Sequence, residues 1–346
     1  MPRSRAPVVL LVASVAATAM LGAALASGSA ALSIAEVIDG LAAPASAAGE
    51  IIWRLRLPRA LAAFACGGLL ALSGALLQTL LRNPLAEPYL LGVSGGAAVG
   101  ALLVMWCGLT SIGVPLGAAA GAAGVTALLM LMARRDFSGD LAGASGADSG
   151  RRMLLAGVAL ASLCGAAVAL ILSLAPEAQL RGMVFWLMGD LGGVQNGVEG
   201  WGIAMSTLVI ALAILLPQAY ALNLLTRGDA VAQTLGVNVR RLRLLAFMLA
   251  ALTAAVAVAT AGTIGFVGLV APHLTRLVTG NDQRVLLPAS VLGGGTLLLL
   301  ADTLARTMAA PLQLPTGALM ALIGAPVFMH LLFRRNQVWA PPKVGR

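Results

Sequence analysis

The feature that most constrains this chain is the recurrence of apolar runs of about 20 residues, the length that a helix needs to cross a bilayer. Of its 346 residues, 60% are hydrophobic and only 10% are charged, and the mean hydropathy is +0.95. Soluble domains carry about 25% charged residues. The composition therefore predicts an all-α polytopic membrane protein and excludes a disordered chain, a collagen, a disulfide scaffold or a water-soluble enzyme.

About ten transmembrane helices are predicted within one transmembrane domain that spans residues 1–346. The run at 264–279 is the weakest, because it is short and interrupted by glycine and proline. The first run has a second interpretation as a cleaved signal peptide, since Ala24-Leu-Ala-Ser27 resembles a small-residue cleavage site. The candidate spans are 7–29, 60–81, 92–109, 113–133, 152–174, 199–219, 243–262, 264–279, 285–308 and 316–333.

The net charge of +9 does not indicate a nucleic-acid partner, because the cations lie between apolar runs and form no basic face. Cytoplasmic loops of membrane proteins carry an excess of Lys and Arg. With the N-terminus in the cytoplasm and ten alternating spans, most cations fall on that side, so both termini are predicted to be cytoplasmic. The exceptions, predicted to lie outside, are Arg54, Arg56, Arg59, Arg181 and Arg306. Snorkelling at the interface would also explain them.

The connections between the runs carry further predictions. Asn83-Pro84 ends one helix and Gly92 begins the next, with glycines that allow close backbone approach. The 136–151 segment is a polar, Gly-rich loop, and the 175–198 loop contains a short interfacial helix.

Residues 226–243 are predicted to form a cytoplasmic helix-turn-helix pair that docks to a soluble partner. Asp229 is the predicted N-cap of the first helix and Gly236 its stop, with Ala232 and Leu235 on one face. Asn238 is predicted to cap a second short helix that runs through Arg241. A solvated loop without a partner is the other interpretation.

The remaining polar residues indicate no chemistry of their own. Asp302 precedes Arg306 by four residues, so the two can pair on one helix face. The cysteines stand singly in apolar runs, which predicts small core residues rather than a metal site. No catalytic grouping and no nucleotide-binding motif is present, so the chain is not expected to be an enzyme. The cysteines are Cys66, Cys107 and Cys164.

A series of motifs, in order along residues 50–335, resembles the FecCD family, the permease subunits of type II ABC importers for cobalamin, ferric siderophores or heme. The motifs are Arg56-Leu-Pro-Arg59, Ser73-Gly-Ala-Leu-Leu-Gln78, Arg82-Asn-Pro-Leu-Ala-Glu-Pro88, Leu91-Gly-Val-Ser-Gly-Gly-Ala97, Leu154-Leu-Ala-Gly-Val158, Ala261-Gly-Thr-Ile-Gly-Phe-Val-Gly-Leu-Val-Ala-Pro-His-Leu-Thr-Arg276, Ala301-Asp302 with Arg306, Leu314-Pro-Thr-Gly317 and Ile323-Gly-Ala-Pro326.

The resemblance implies a fold like that of the vitamin B12 importer permease in the bacterial inner membrane. It also implies a second copy of the chain, two ATP-binding-cassette ATPases below and a periplasmic substrate-binding protein above. This chain would hold no cofactor, since ATP and Mg belong to the partner ATPase. The cargo would be a metal chelate, with iron chelates preferred as the commoner class. An ion-coupled secondary carrier and a membrane scaffold without transport are the alternatives.

The resemblance also assigns residues to three roles. Small residues in the predicted fifth span would line the pathway, although such residues serve helix packing equally well. Arg56, Arg59 and Arg306 would meet acidic residues of the binding protein. The ATPase-coupling residues would be Asp229, Ala232, Leu235, Gly236, Val237 and Asn238, and the pathway residues Ser162, Gly165 and Ala169.

Overall fold

A computed structural model describes residues 6–28, 32–109, 113–132, 146–192 and 198–338, and all regular structure in these ranges is helical. A π-helical turn at Ile52–Arg56 joins the helix at Ala47–Ile51 to the helix at Leu57–Leu80, so that the chain stays helical without a break. The helices are α1 (Ala6–Ala26), α2 (Ile34–Ala42), α3 (Ala47–Ile51), α4 (Leu57–Leu80), α5 (Val93–Trp106), α6 (Gly113–Met132), α7 (Gly146–Leu174), α8 (Glu177–Leu187), α9 (Val198–Leu215), α10 (Ala219–Thr226), α11 (Asp229–Thr234), α12 (Val239–Ala261), α13 (Val267–Thr279), α14 (Gln283–Thr307) and α15 (Thr316–Val338).

The predicted all-α fold class is confirmed, and each of the ten predicted spans overlaps a helix. Seven helical stretches in the described ranges are long and apolar enough to cross a membrane, and α5 and α15 contribute shorter apolar helices. The weak run at 264–279 is only the 13-residue α13. At 1.5 Å per residue it covers about 20 Å, less than a bilayer core of about 30 Å. α13 by itself is therefore shorter than the full helical span predicted there, and residues 262–266 before it are not helical.

α4 is the centre of the bundle, because nearly every residue from Arg59 to Thr79 is buried. It packs against α9, α12, α13 and α14. Small residues allow this crowding: a Cβ on Gly74 would lie 1.8 Å from the carbonyl oxygen of Gly268 in α13. The predicted close approach at the glycines that begin α5 is also confirmed, since a Cβ on Gly96 would lie 2.5 Å from the carbonyl oxygen of Gly121 in α6. Backbone contact at small residues is a usual basis of helix packing in membranes.

The predictions for two connections and for the cysteines are confirmed in part. The α7 helix already begins at Gly146, so the end of the predicted 136–151 loop is helical, while residues 133–145 lie outside the described residues. The predicted helix in the 175–198 loop is confirmed as α8. Cys66 and Cys164 are buried as predicted, whereas Cys107 is exposed because α5 ends one residue before it. The cations Arg3, Arg5, Arg134, Arg135, Lys343 and Arg346 also lie outside the described residues.

The start of α13 depends on a carboxylate from a distant connection. The Phe266 N–H donates to Glu87 Oε1 over 2.6 Å, and Phe266 caps α13 with a φ of +67°, a left-handed conformation uncommon for a bulky residue. Burial raises the pKa of Glu87 above its ordinary 4.5, and the hydrogen bond from Phe266 partly offsets this rise. Glu87 therefore acts as a cap supplied by another segment of the chain.

The Glu87→Gln variant is expected to keep the folded state and to remove a pH dependence. Because the pKa of Glu87 is higher in the folded state than in the unfolded state, protonation of Glu87 stabilises the fold. This stabilisation is complete below the pKa of the unfolded state and is lost as the pH rises through the pKa of the folded state. Glutamine still accepts from the Phe266 N–H, whereas Glu87→Ala leaves this half-buried N–H unpaired at a cost of at most about 1–3 kcal/mol. Thermal unfolding of the purified chain from pH 4.5 to 8 measures both effects. Equal melting temperatures for the Gln and Ala variants would contradict the capping role.

Candidate functional site

Two polar clusters lie at opposite ends of α4. The first, the Asp302 cluster, consists of Arg59, Asp302, Arg306, Gln313 and Thr316. Asp302 is fully buried and accepts from Arg59 Nε at 3.0 Å, Arg59 Nη2 at 2.9 Å and Thr316 Oγ1 at 3.1 Å. Arg306 Nε lies 3.1 Å from its second oxygen, and Arg59 Nη1 donates to Gln313 Oε1 at 2.8 Å. Two cations thus share one buried carboxylate.

The predicted pairing of Asp302 with Arg306 is confirmed, and helix geometry explains it, because residues four apart share a face. The sequence analysis missed the contact with Arg59, which lies 243 positions from Asp302. No local sequence pattern predicts this contact, because it depends on how the first turn of α4 packs against the end of α14. A complementary pair of buried charges at two helix ends is the only signal that could have suggested it.

The end of α1 joins the same region through its carbonyl groups. Arg56 Nη1 donates to the carbonyl oxygens of Leu25 at 2.6 Å and Ala26 at 2.9 Å, and Arg306 Nη2 to that of Ala24 at 3.4 Å. Cations are favourable at helix C-termini, where carbonyl groups lack helical partners. These contacts and the packing of α1 on α14 attach α1 to the bundle.

The three predicted docking arginines are therefore engaged inside the chain. Arg56 is 5% exposed, Arg59 1% and Arg306 9%. A role in docking stays a prediction, but their guanidinium groups have internal partners that the sequence analysis did not foresee, apart from the Asp302–Arg306 pair. Asp190, half-buried after α8, lies 3.9 Å from Arg59 Nη2 and is the acidic group of this region nearest to solvent.

The second cluster, the Asp229 cluster, consists of Arg82, Asp229 and Arg243. Arg82 Nη2 lies 2.5 Å from Asp229 Oδ1, and Arg243 Nη2 lies 2.7 Å from Asp229 Oδ2. Arg82 also donates to the carbonyl oxygen of Leu225 at 3.0 Å. The predicted role of Asp229 as an N-cap is wrong, because Gly228 is the N-cap and makes no side-chain bond. Asp229 is instead the first residue of α11, and its carboxylate binds the two arginines.

The other predictions for the coupling segment at 229–238 are confirmed in part. Gly236 has a φ of +81° and ends α11, as predicted, in a Schellman arrangement: Gly236 N–H bonds to the Gln233 carbonyl and Val237 N–H to that of Ala232. Ala232 is fully buried, whereas Leu235 is 58% exposed, so they do not share a face. They differ because Leu235 is already the C-cap, outside the helical repeat.

The predicted second short helix does not exist as a separate element. Asn238 accepts from the Arg241 N–H at 3.0 Å and is the N-cap of α12, which continues to Ala261. The capping prediction is confirmed, but the helix that it begins is the next long span. The segment therefore holds one isolated short helix, α11, with Val231 and Leu235 exposed.

The predicted pathway residues lie on an uncovered face of α7. Ser162, Gly165 and Ala169 are exposed in the single chain, and a Cβ on Gly165 would meet nothing within 4 Å. Leu155 and Leu163 of the same helix are about two-thirds exposed, at 64% and 66%. Lipid, a second chain or a transport pathway would cover this face. The role of these three residues in lining a pathway stays a prediction.

α4 connects the two clusters. Arg59 stands in its first turn, and Arg82 follows two residues after its end. The 24 residues between Leu57 and Leu80 span about 36 Å, so the clusters lie at the two ends of a helix long enough to cross a bilayer.

Comparison with known proteins places this arrangement in a family. The FecCD transport family matches residues 10–334. The chain is 43% identical over 300 residues to the hemin transport system permease protein HmuU of Yersinia pestis, covering 83% of this chain and 84% of that one. It is 42% identical over 293 residues to the vitamin B12 import system permease protein BtuC of Salmonella typhi, covering 84% and 86%.

A solved structure agrees with these matches. It is an inward-facing conformation of a transporter assigned to the metal-chelate type of ABC transporters, with a TM-score of 0.81 and 32% identity. The alignment covers 95% of this chain and 99% of that one. The chain belongs to the FecCD transport family.

Proposed function

We propose that this chain is the permease subunit of a type II ABC importer that moves a metal chelate, of the heme, cobalamin or ferric siderophore class, from the periplasm to the cytoplasm. It lies in the inner membrane with both termini in the cytoplasm. Family membership supports the class of transporter, and the names of the two permease relatives support the class of cargo. Iron chelates remain the preferred cargo, since the relative matched at 43% identity is a hemin permease.

The observation that carries the proposal is the form of α11. One side of this short helix is attached to the bundle through Asp229 and the buried Ala232, while Val231 and Leu235 remain 42% and 58% exposed. An anchored helix that presents apolar side chains beyond the spans fits a docking element for a soluble ATPase. Exposed apolar groups that are held in place commonly mark an interaction site.

The proposed assembly contains two copies of this chain, two ATPases and one periplasmic binding protein. The uncovered face of α7 supports a pathway shared between the two copies. ATP and Mg are held by the ATPase, and the permease itself carries out no reaction. ATP binding shifts the population between inward- and outward-facing states, and the permease needs only weak contacts with its cargo because the binding protein delivers it.

The rival interpretation as an ion-coupled carrier is not favoured. Such carriers use membrane-embedded carboxylates that gain and lose ions or protons. Asp302 is the embedded carboxylate on which the alternative would depend, and two arginines and a threonine already bind it. These contacts engage both of its carboxylate oxygens.

The deciding experiment is purification of the tagged chain from native membranes in mild detergent, followed by mass spectrometry and measurement of subunit ratios. One ATPase per permease, with ATP hydrolysis stimulated by the binding protein, is the expected result. The same complex in liposomes should take up hemin or cyanocobalamin only when ATP is supplied. A lone chain that moves either probe without ATP would contradict the proposal.

The Gly236→Val variant is expected to reduce ATP-driven uptake strongly while leaving membrane insertion intact. A left-handed residue other than glycine costs roughly 1–2 kcal/mol, so valine would unwind the turn that ends α11. A Cβ here meets no atom within 4 Å, so the bundle itself is undisturbed. Gly22→Val is the matched control, because Gly22 is helical and also has open space around its Cβ. Normal uptake by Gly236→Val would contradict a coupling role for α11.

A further inference from the structure

The short helix α11 is attached to two long helices through one carboxylate. Asp229 binds Arg82, which follows the end of α4, at 2.5 Å and Arg243, in the second turn of α12, at 2.7 Å. We propose that Asp229 is a positioning residue that transmits the displacement of α11 to α4 and α12, and that the Arg82–Asp229–Arg243 bridge sets how much transport each ATP yields. This inference rests on the proposed function, in which α11 docks to the ATPase.

Arg82 is held in a conformation that makes it a firm link. Its φ of +47° is left-handed, a strained conformation for a residue other than glycine that persists only where surrounding contacts impose it. Its Nη2 bonds both to Asp229 and to the carbonyl of Leu225 in α10. Arg82 thus joins the end of α4 to the residues on both sides of the turn into α11.

A neighbouring set of contacts holds α10 to the start of α14. The Asn223 side chain donates to Asp282 Oδ1 at 2.8 Å and accepts from the Gln283 N–H at 2.8 Å. Arg284 also lies over the ring of Tyr220, 5.7 Å from its centroid. Because α10 is fixed to α14 in this way, a displacement of α11 is directed through Asp229 towards α4 and α12.

α4 is suited to carry that displacement to the far side of the bundle. It is buried along almost its whole length, and its first turn holds Arg59 against Asp302. Packed helices transmit shifts because close-packed interiors deform little. A movement at Arg82 therefore reaches the Asp302 cluster, about 36 Å away at 1.5 Å per residue.

The bridge also has a second arrangement available to it. Arg243 uses Nη2 on Asp229, while its Nε is buried and has no hydrogen-bond acceptor among the described residues. A carboxylate can accept two parallel bonds from one guanidinium. If Arg82 releases Asp229, the buried Nε lets Arg243 bind the carboxylate with both Nε and Nη2, which would be a second arrangement of the bridge.

The test uses the full importer, with its ATPase and binding protein, in liposomes. Asp229→Asn removes the charge but keeps the size of the side chain, and Asp229→Glu restores the charge. The matched control is Glu50→Gln, which removes the carboxylate of an exposed pair with Arg54 at 3.7 Å. The readouts are ATP hydrolysis, uptake of hemin and of cyanocobalamin, copurification of the ATPase, and melting temperature.

The expected result is a fall of at least about fivefold in uptake per ATP for Asp229→Asn, the lower end of ordinary couplings between distant sites. ATPase copurification and melting temperature should match those of the Glu50→Gln control, and Asp229→Glu should recover most of the loss. An unchanged ratio in Asp229→Asn overturns the inference and leaves the proposed function standing. Wild-type uptake that needs no ATP overturns both.

A second variant distinguishes a role of the bridge in coupling from a purely structural role. Arg82→Lys keeps the positive charge but cannot bind Asp229 and the Leu225 carbonyl through one planar guanidinium. A lowered uptake per ATP, with the ATPase still bound and hydrolysing, supports the bridge as a mechanical link. An uptake ratio equal to that of the wild type in both Arg82→Lys and Asp229→Asn overturns it.

Discussion

The Asp302→Asn substitution is expected to lower the melting temperature of the purified chain by on the order of 10 °C, because removal of one partner from a buried ion pair costs about 3–5 kcal/mol. Asp302 is fully buried between Arg59 and Arg306. Asparagine can still accept a hydrogen bond but cannot balance two guanidinium charges. The measurement is thermal unfolding in detergent, followed by intrinsic fluorescence and by retention of a single peak on size-exclusion chromatography.

Glu50→Gln is the control for this variant. It removes a carboxylate whose partner, Arg54, is 3.7 Å away and whose side chain is 58% exposed. Exposed pairs contribute at most about 1 kcal/mol. If Asp302→Asn and Glu50→Gln unfold at the same temperature, the Asp302 cluster does not stabilise the bundle.

The same geometry changes how docking to the binding protein must be tested. Reversal of Arg59 to Glu would place two carboxylates together in a buried site, so a loss of docking would only report a loss of folding. Arg56→Gln is the more informative change, because it removes the charge of a buried arginine without placing a second carboxylate in the Asp302 cluster. Weaker docking at low salt with an unchanged melting temperature would support the predicted role.

The Gly74→Ala substitution is the second change for which we expect a large effect. The new Cβ would lie 1.8 Å from the carbonyl oxygen of Gly268, and the obstructing atoms are backbone rather than a side chain that can rotate away. Insertion of one methyl group into a packed core ordinarily costs about 1–3 kcal/mol, and we expect this site to reach or exceed that range. α4 and α13 would have to separate, which would disturb the centre of the bundle.

The matched control is Gly124→Ala in α6, where a Cβ would meet nothing within 4 Å. Alanine is favoured over glycine in a helix by about 0.5–1 kcal/mol, so this variant should be neutral or slightly more stable. Both variants are compared by the yield of folded chain and by melting temperature. Equal yields and melting temperatures would show that α4 and α13 can move apart without cost.

Much of this protein was determined by local sequence alone. Spans appear directly in the sequence, because a helix that crosses lipid must be apolar for about 20 residues and must satisfy its own backbone hydrogen bonds. Turn positions were equally readable: Gly236 stops α11 and Asn238 caps α12, since these depend on the conformations that single residues adopt. The pairing of Asp302 with Arg306 followed from helical spacing.

Only the tertiary structure decided what the polar residues contact. Arg59 reaches Asp302 across 243 residues. Asp229, which is the first residue of α11 rather than its predicted N-cap, binds Arg82 and Arg243, and the packing of α4 and α12 brings these two arginines close. The 13-residue α13 could not be distinguished from a span, because its start depends on Glu87 from another connection. Apolar length is a local property, whereas the partner of a buried charge depends on which helix ends meet in the folded bundle.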